Sequence, residues 1–133
     1  YNIYFHAGWD PQFLFITARS LASGNPIDQS VISYFSLYPN NTTLLWVFVQ
    51  ILKLNNLAGI LDTNDGSMAI ITVNCLLSCL TGVITFETAK RFLNKEWAFF
   101  SWVIYVAFIA INPWVVITYS DQITLIFPIL ILF

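Results

Sequence analysis

Charge is what this sequence has least of. Only 9% of its 133 residues are Asp, Glu, Lys or Arg, against about 25% in an ordinary soluble domain. With 58% hydrophobic and 17% aromatic residues, the deficit argues against a water-exposed domain and for a lipid environment. Soluble cores rarely hold uncharged runs as long as a bilayer is thick. The net charge of −2 supplies no basic surface for nucleic acid. There are two cysteines and one histidine. Cys75 and Cys79 stand four apart in an apolar run, without companion His or Cys for a metal. They are expected to be small packing residues and are silent on redox compartment. No Gly-rich phosphate loop, nucleophile elbow or metalloprotease helix occurs, so nothing points to nucleotide binding. No basic stretch followed by an apolar one opens the sequence, so the secretory-leader pattern is lacking. The run from Ile123 to Phe133 stops midway. The expected reading is an internal stretch of a longer membrane protein, with at least one span upstream.

What is present is a polar-aromatic segment, Tyr4 to Asp10, ahead of an amphipathic stretch. Residues 1–12 read as loop. Pro11 disfavours helix at Asp10, which can then cap a helix that Pro11 begins. Gln12 to Ala22 is too short to span and is expected to lie at the interface, with Phe13, Ile16 and Leu21 on its apolar side and Thr17, Arg19 and Ser20 polar. Ser23-Gly24-Asn25-Pro26 ends it. Residues 27–41 read as further loop, rich in the tyrosines that favour the membrane–water boundary. Asn41-Thr42-Thr43 matches a glycosylation sequon of the kind chance produces often. Thr42 to Leu54 is a short apolar helix, expected to be interfacial or re-entrant rather than spanning. Asp62, Asn64 and Ser67 faintly match a calcium loop, but a solvated turn accounts for them.

Ser67 to Phe86 meets the length of a span, and Asn74 within it is expected to hydrogen-bond a neighbouring helix. Lys90, Arg91 and Lys95, three of the five basic residues, follow in a turn. Trp97 to Thr118 is the next uncharged run. Trp97, Trp102 and Trp114 lie towards its ends, and Asn112-Pro113 implies a kink or break. Tyr119 to Gln122 is polar, and a further span starts at Ile123. The fold class expected is an all-α, polytopic membrane helix bundle: one membrane domain, with an external loop at 1–66 and spans at about 67–88, 97–118 and 123–133.

The basic cluster should face the cytoplasm. Span 67–86 then runs inward and 97–118 outward, leaving Asp10 and Asp121 on one external face. The rival topology lets Thr42–Leu54 cross, which separates the two acids. A charge at the edge of a bundle needs water, a cation or a catalytic task. Asp10, between Trp9 and Pro11, reads equally as a helix cap or as a base strengthened by partial desolvation. Asp121 reads first as a loop acid marking a span boundary. His6, four residues before Asp10, reads as a hydrogen-bonding side chain sooner than as a metal ligand.

Taken in order, these features resemble a known group. They are Gly8-Trp9-Asp10 opening an external loop, an amphipathic 13–22 helix ending at Gly24, and Tyr38-Pro39-Asn40-Asn41 before a short juxtamembrane helix. A span, the Lys90-Arg91 turn and a second span ending at Tyr119-Ser120-Asp121 follow. The layout resembles the polytopic GT-C glycosyltransferases, and within them glycosyltransferase family 39, which holds protein O-mannosyltransferases and lipid A aminoarabinose transferases. The resemblance covers nearly the whole chain. It implies an inverting, mannosyltransferase-like hexosyl transfer from a polyprenyl-phosphate-linked sugar to a glycan, lipid or protein acceptor. The setting it implies is the external face of a bacterial plasma membrane, in the cell envelope. Asp10 would be the base that deprotonates the acceptor hydroxyl, and Asp121 would shape the donor or acceptor site. His6, Trp9, Arg19, Tyr38, Asn40 and Tyr119 would line the substrates, Arg19 being included as the only external arginine rather than by a motif. The family often has a second acid beside the first-loop aspartate; here Pro11 stands there, so no metal ligand is assigned and a divalent cation is left open as cofactor. The readings from other classes are a transporter or flippase, whose acids would sit in mid-span, and a non-catalytic membrane subunit.

Overall fold

The computed structural model describes residues 10–59, 66–117 and 120–133. Among them every regular element is helical. The chain divides into two compact units, Tyr1–Ile70 and Ile71–Phe133.

In the first unit, α1 runs from Asp10 to Ala22. Asp10 lies inside its first turn rather than ahead of it as a cap, and Pro11 is tolerated there because a first-turn residue needs no N–H partner. The helix ends where glycine was expected to end it. Gly24 adopts φ +75, Gly24 N–H donates to Leu21 O and Asn25 N–H donates to Ser20 O, the paired bonds of a glycine-terminated helix. The buried face is Leu14, Phe15, Thr17 and Ala18. This corrects the expected stripe: Thr17 is inside and Ile16 is 54% exposed. The cause is the partner, because α1 packs on the helix Asn41–Ala58 (α3), and residues 14, 17 and 18 share the side turned towards it.

Between them lies α2, Gln29–Leu37, where loop was expected. Serine usually disfavours helix by competing for backbone groups. Here Ser33 and Ser36 donate their hydroxyls to the carbonyls four residues back, Gln29 O and Ile32 O, so the competition is spent within the helix. No residue of α2 is fully buried. Helix α3 is also longer than its apolar run suggested, passing through Lys53, Asn55 and Asn56 to a left-handed Gly59. Its core stripe is Leu44, Leu45, Phe48, Val49 and Leu52.

The helix Ser67–Phe92 (α4) is the one among the described residues long and apolar enough to cross a membrane. Its 26 residues reach about 39 Å at 1.5 Å per residue, enough for a hydrocarbon core of about 30 Å. Lys90 and Arg91 form its last turn instead of the turn beyond it. The reversal falls at Leu93-Asn94, where Asn94 Oδ1 accepts from Trp97 N–H and caps α5, Lys95–Tyr105.

The run 97–118 is not one continuous α-helix. After α5 the chain loosens into a π-helical turn, Val106–Ala110, and then a 3₁₀ turn, Pro113–Val116. The break at Asn112-Pro113 was anticipated, since proline lacks the N–H that the helix needs. Beyond it, Asp121 lies in a short helix α6, Ser120–Thr124, rather than in a loop. The start of the expected third span is α6 followed by α7, Ile126–Leu132, with Pro128 inside α7.

Candidate functional site

Asp10 is half-buried and shares a side of α1 with Phe13, three residues on. That side leads into an aromatic cluster. The rings of Phe13 and Tyr34 lie 4.7 Å apart, and Tyr34 and Tyr38 lie 5.0 Å apart. Asn41 is 6% exposed, and its Nδ2 donates to Tyr34 Oη at 2.8 Å. Its Oδ1 accepts from Asn40 Nδ2 at 3.2 Å. Tyr34, on α2, therefore touches both α1 and α3. Of the candidate substrate residues, Tyr38 and Asn40 are exposed and flank this junction. Tyr34 and Asn41, which hold it, were not among the candidates. The spacing of Tyr34 and Tyr38, one helical turn apart, was the available signal once the segment is read as helix. The same bond engages the nitrogen of the sequon asparagine, which is buried. Replacing Asn41 with alanine is expected to cost about 1 kcal/mol and to speed amide hydrogen exchange in α2 more than in α1.

Arg19 is exposed and lies nine residues beyond Asp10 on one continuous helix. At 1.5 Å and 100° per residue that is about 13.5 Å along the axis and half a turn around it. The two do not converge on one small group. Arg19 lines instead a shallow cavity of about 350 Å³ with Phe15, Ser20 and Asn25. A second cavity of about 350 Å³ lies between α2 and the start of α3, walled by Val31, Phe35 and Leu45.

In the second unit, α4 buries its polar side. Asn74 and Thr81 are 0% exposed and Ser78 is 3% exposed, whereas Leu76 and Val83 are 64% and 58% exposed. A helix whose apolar face is outermost suits lipid. Cys75 and Cys79, expected to be small packing residues, lie exposed on that outer side. Small polar residues let α5 close in. Tyr105 Oη donates to Ser78 O at 2.8 Å, and Gly82 leaves so little room that an added Cβ would stand 3.1 Å from the Tyr105 ring. The expected bond of Asn74 is present, with backbone as its partner. Nδ2 donates to Ile117 O at 3.1 Å and to Val115 O at 3.4 Å.

Asp121 is exposed. Ser120 Oγ donates to its Oδ1 at 3.4 Å, and its backbone carbonyl accepts from Thr124 Oγ1. Asp10 belongs to the first unit and Asp121 to the second. His6, Trp9, Tyr119, Asp62 and Asn64 lie outside the described residues. No group of three or more His, Cys, Asp or Glu is gathered for a metal among the described residues. No protein-family model, curated protein or solved structure matches this chain.

Proposed function

We propose that this chain is part of a multi-pass membrane glycosyltransferase that moves a sugar from a polyprenyl-phosphate donor to an acceptor on the external face. The observation that carries the reading is the setting of Asp10. It is a half-buried carboxylate at the tip of a helix that is braced by α3 and by the Phe13–Tyr34–Asn41 junction. A general base has to be held still and yet be reachable. In the proposed step the acceptor oxygen bonds to the anomeric carbon as its proton passes to Asp10. The bond from that carbon to the phosphate oxygen breaks, and polyprenyl phosphate departs. The apolar cavity between α2 and α3 offers room for isoprene units of the donor. Asp121, exposed beside Ser120, is assigned to shaping the donor or acceptor site. The transporter reading calls for an ionisable group in mid-span. Helix α4 carries no Asp, Glu, His, Lys or Arg between Ser67 and Phe86, and the side chains of its buried Asn74, Ser78 and Thr81 each make a hydrogen bond.

The reading requires Asp10 and Asp121 on one side of the membrane, opposite Leu93. With Cys75 and Cys79 replaced by alanine in the full-length protein, single cysteines at 10, 93 and 121 would be exposed to a membrane-impermeant maleimide on intact cells. Labelling is expected at 10 and 121 and not at 93. Labelling at 10 and 93 but not at 121 would mean that α3 crosses, and a site shared by the two acids would be ruled out.

A further inference from the structure

From Pro113 the backbone runs through a 3₁₀ turn, Pro113–Val116, which gives its carbonyls no continuing α-helical ladder. In hydrocarbon such carbonyls need partners from elsewhere in the protein. The carbonyls of Val115 and Ile117 find one in Asn74, a side chain projecting from α4. Asn74 is fully buried, and its other polar atom, Oδ1, is buried without a hydrogen-bond partner among the described residues. An orphaned amide oxygen offsets much of what the two donated bonds contribute. As a stabiliser, the arrangement is poor. As a device that sets where one segment sits against another, it is specific: it grips the chain on both sides of Val116. Ile117 is four residues before Asp121. Between α5 and α6 the backbone passes through π-helical and 3₁₀ geometry, so no continuous helix carries the acid's position forward.

We propose that Asn74 is a positioning residue. By donating to Val115 O and Ile117 O, it fixes the register and depth at which the segment bearing Asp121 leaves the broken helix. The proposal rests on the reading of Asp121 as a site acid, and it adds a residue that never touches substrate. It requires the amide donor. Leucine has nearly the same volume and can fill the site without gripping the carbonyls, whereas glutamine keeps the donor at the end of one further methylene.

The test uses the full-length protein with Cys75 and Cys79 replaced by alanine and a reporter cysteine at Ser120. Maleimide labelling of the reporter would be compared in Asn74, Asn74→Leu and Asn74→Gln backgrounds. Transfer from undecaprenyl-phosphate-linked mannose and glucose would be measured in the same three backgrounds without the reporter. Asn74→Leu is expected to label about tenfold faster, the factor that loss of two modest hydrogen bonds allows. It should also lower kcat by a similar factor with KM little changed, while Asn74→Gln stays near the parent in both. If Asn74→Leu labels at the parent rate, Asn74 does not hold the segment and the proposal is overturned. Faster labelling with kcat unchanged would also overturn it, since the acid's position would then not matter to transfer. A parent protein that transfers from neither donor, and whose Asp10→Asn variant is indistinguishable from it, would count against the glycosyltransferase reading itself, with labelling still reporting on Asn74 alone.

Discussion

Asp10→Asn in the full-length protein is expected to lower kcat for transfer from a polyprenyl-phosphate sugar by about 100-fold or more, the usual contribution of a general base. Asparagine keeps the shape of the side chain but cannot take the acceptor's proton. The competing role of Asp10 is structural. It sits in the first turn of α1, where a negative charge interacts favourably with the helix dipole at a gain of about 0.3–1 kcal/mol. The amide retains part of that interaction as a hydrogen-bond acceptor. Folding should therefore change by well under the factor seen in transfer, and the two roles separate cleanly. The measurement is release of polyprenyl phosphate against time, paired with the thermal midpoint of the same preparations. A drop in kcat at an unchanged midpoint supports the base. Retained transfer would assign Asp10 to the helix terminus alone and would favour the non-catalytic subunit.

Phe48→Ala should give the largest loss of stability. Phe48 is 0% exposed in α3, centred in the stripe of Leu44, Leu45, Val49 and Leu52 on the helix against which α1 packs. Removing a fully buried phenyl ring forfeits its transfer free energy and leaves a cavity, together about 3–5 kcal/mol. Trp46, two residues earlier and 63% exposed, is the control. Trp46→Ala removes a larger ring, yet the midpoint should move far less, because little of that ring is withdrawn from its surroundings. Because α3 backs the helix carrying Asp10, Phe48→Ala should also depress transfer. That loss should be partly restored by lowering the temperature, which distinguishes it from the loss in Asp10→Asn. Equal midpoints for the two alanine variants would mean that α3 is not what α1 rests on.

The residues themselves were enough for several features. Gly24 and Pro26 stop α1 because only glycine takes the left-handed backbone without strain and proline cannot continue a helix. Ser67 onward was long and uncharged enough to span. Asn112-Pro113 was expected to kink or break the helix that held it. These are local consequences of covalent structure and of apolar length, and they hold whatever the neighbours are.

Contacts across the chain decided the rest. The helix α2 is invisible in a Ser- and Tyr-rich segment until its hydroxyls are seen bonded within it and Tyr34 is seen tied to Asn41. Which side of α1 is buried depended on α3, so Thr17 went in and Ile16 stayed out. Cys75 and Cys79 lie outermost because α4 turns Asn74, Ser78 and Thr81 inward, the reverse of what a water-soluble core would select. Of the candidate site, the acid at 10 and the acid at 121 were legible as rare charges in an apolar chain. The junction at Tyr34 and the grip of Asn74 on two carbonyls more than forty residues away were not. A hydrogen bond at that separation leaves no period in the sequence, because it is set by how helices meet and not by the order of residues along them.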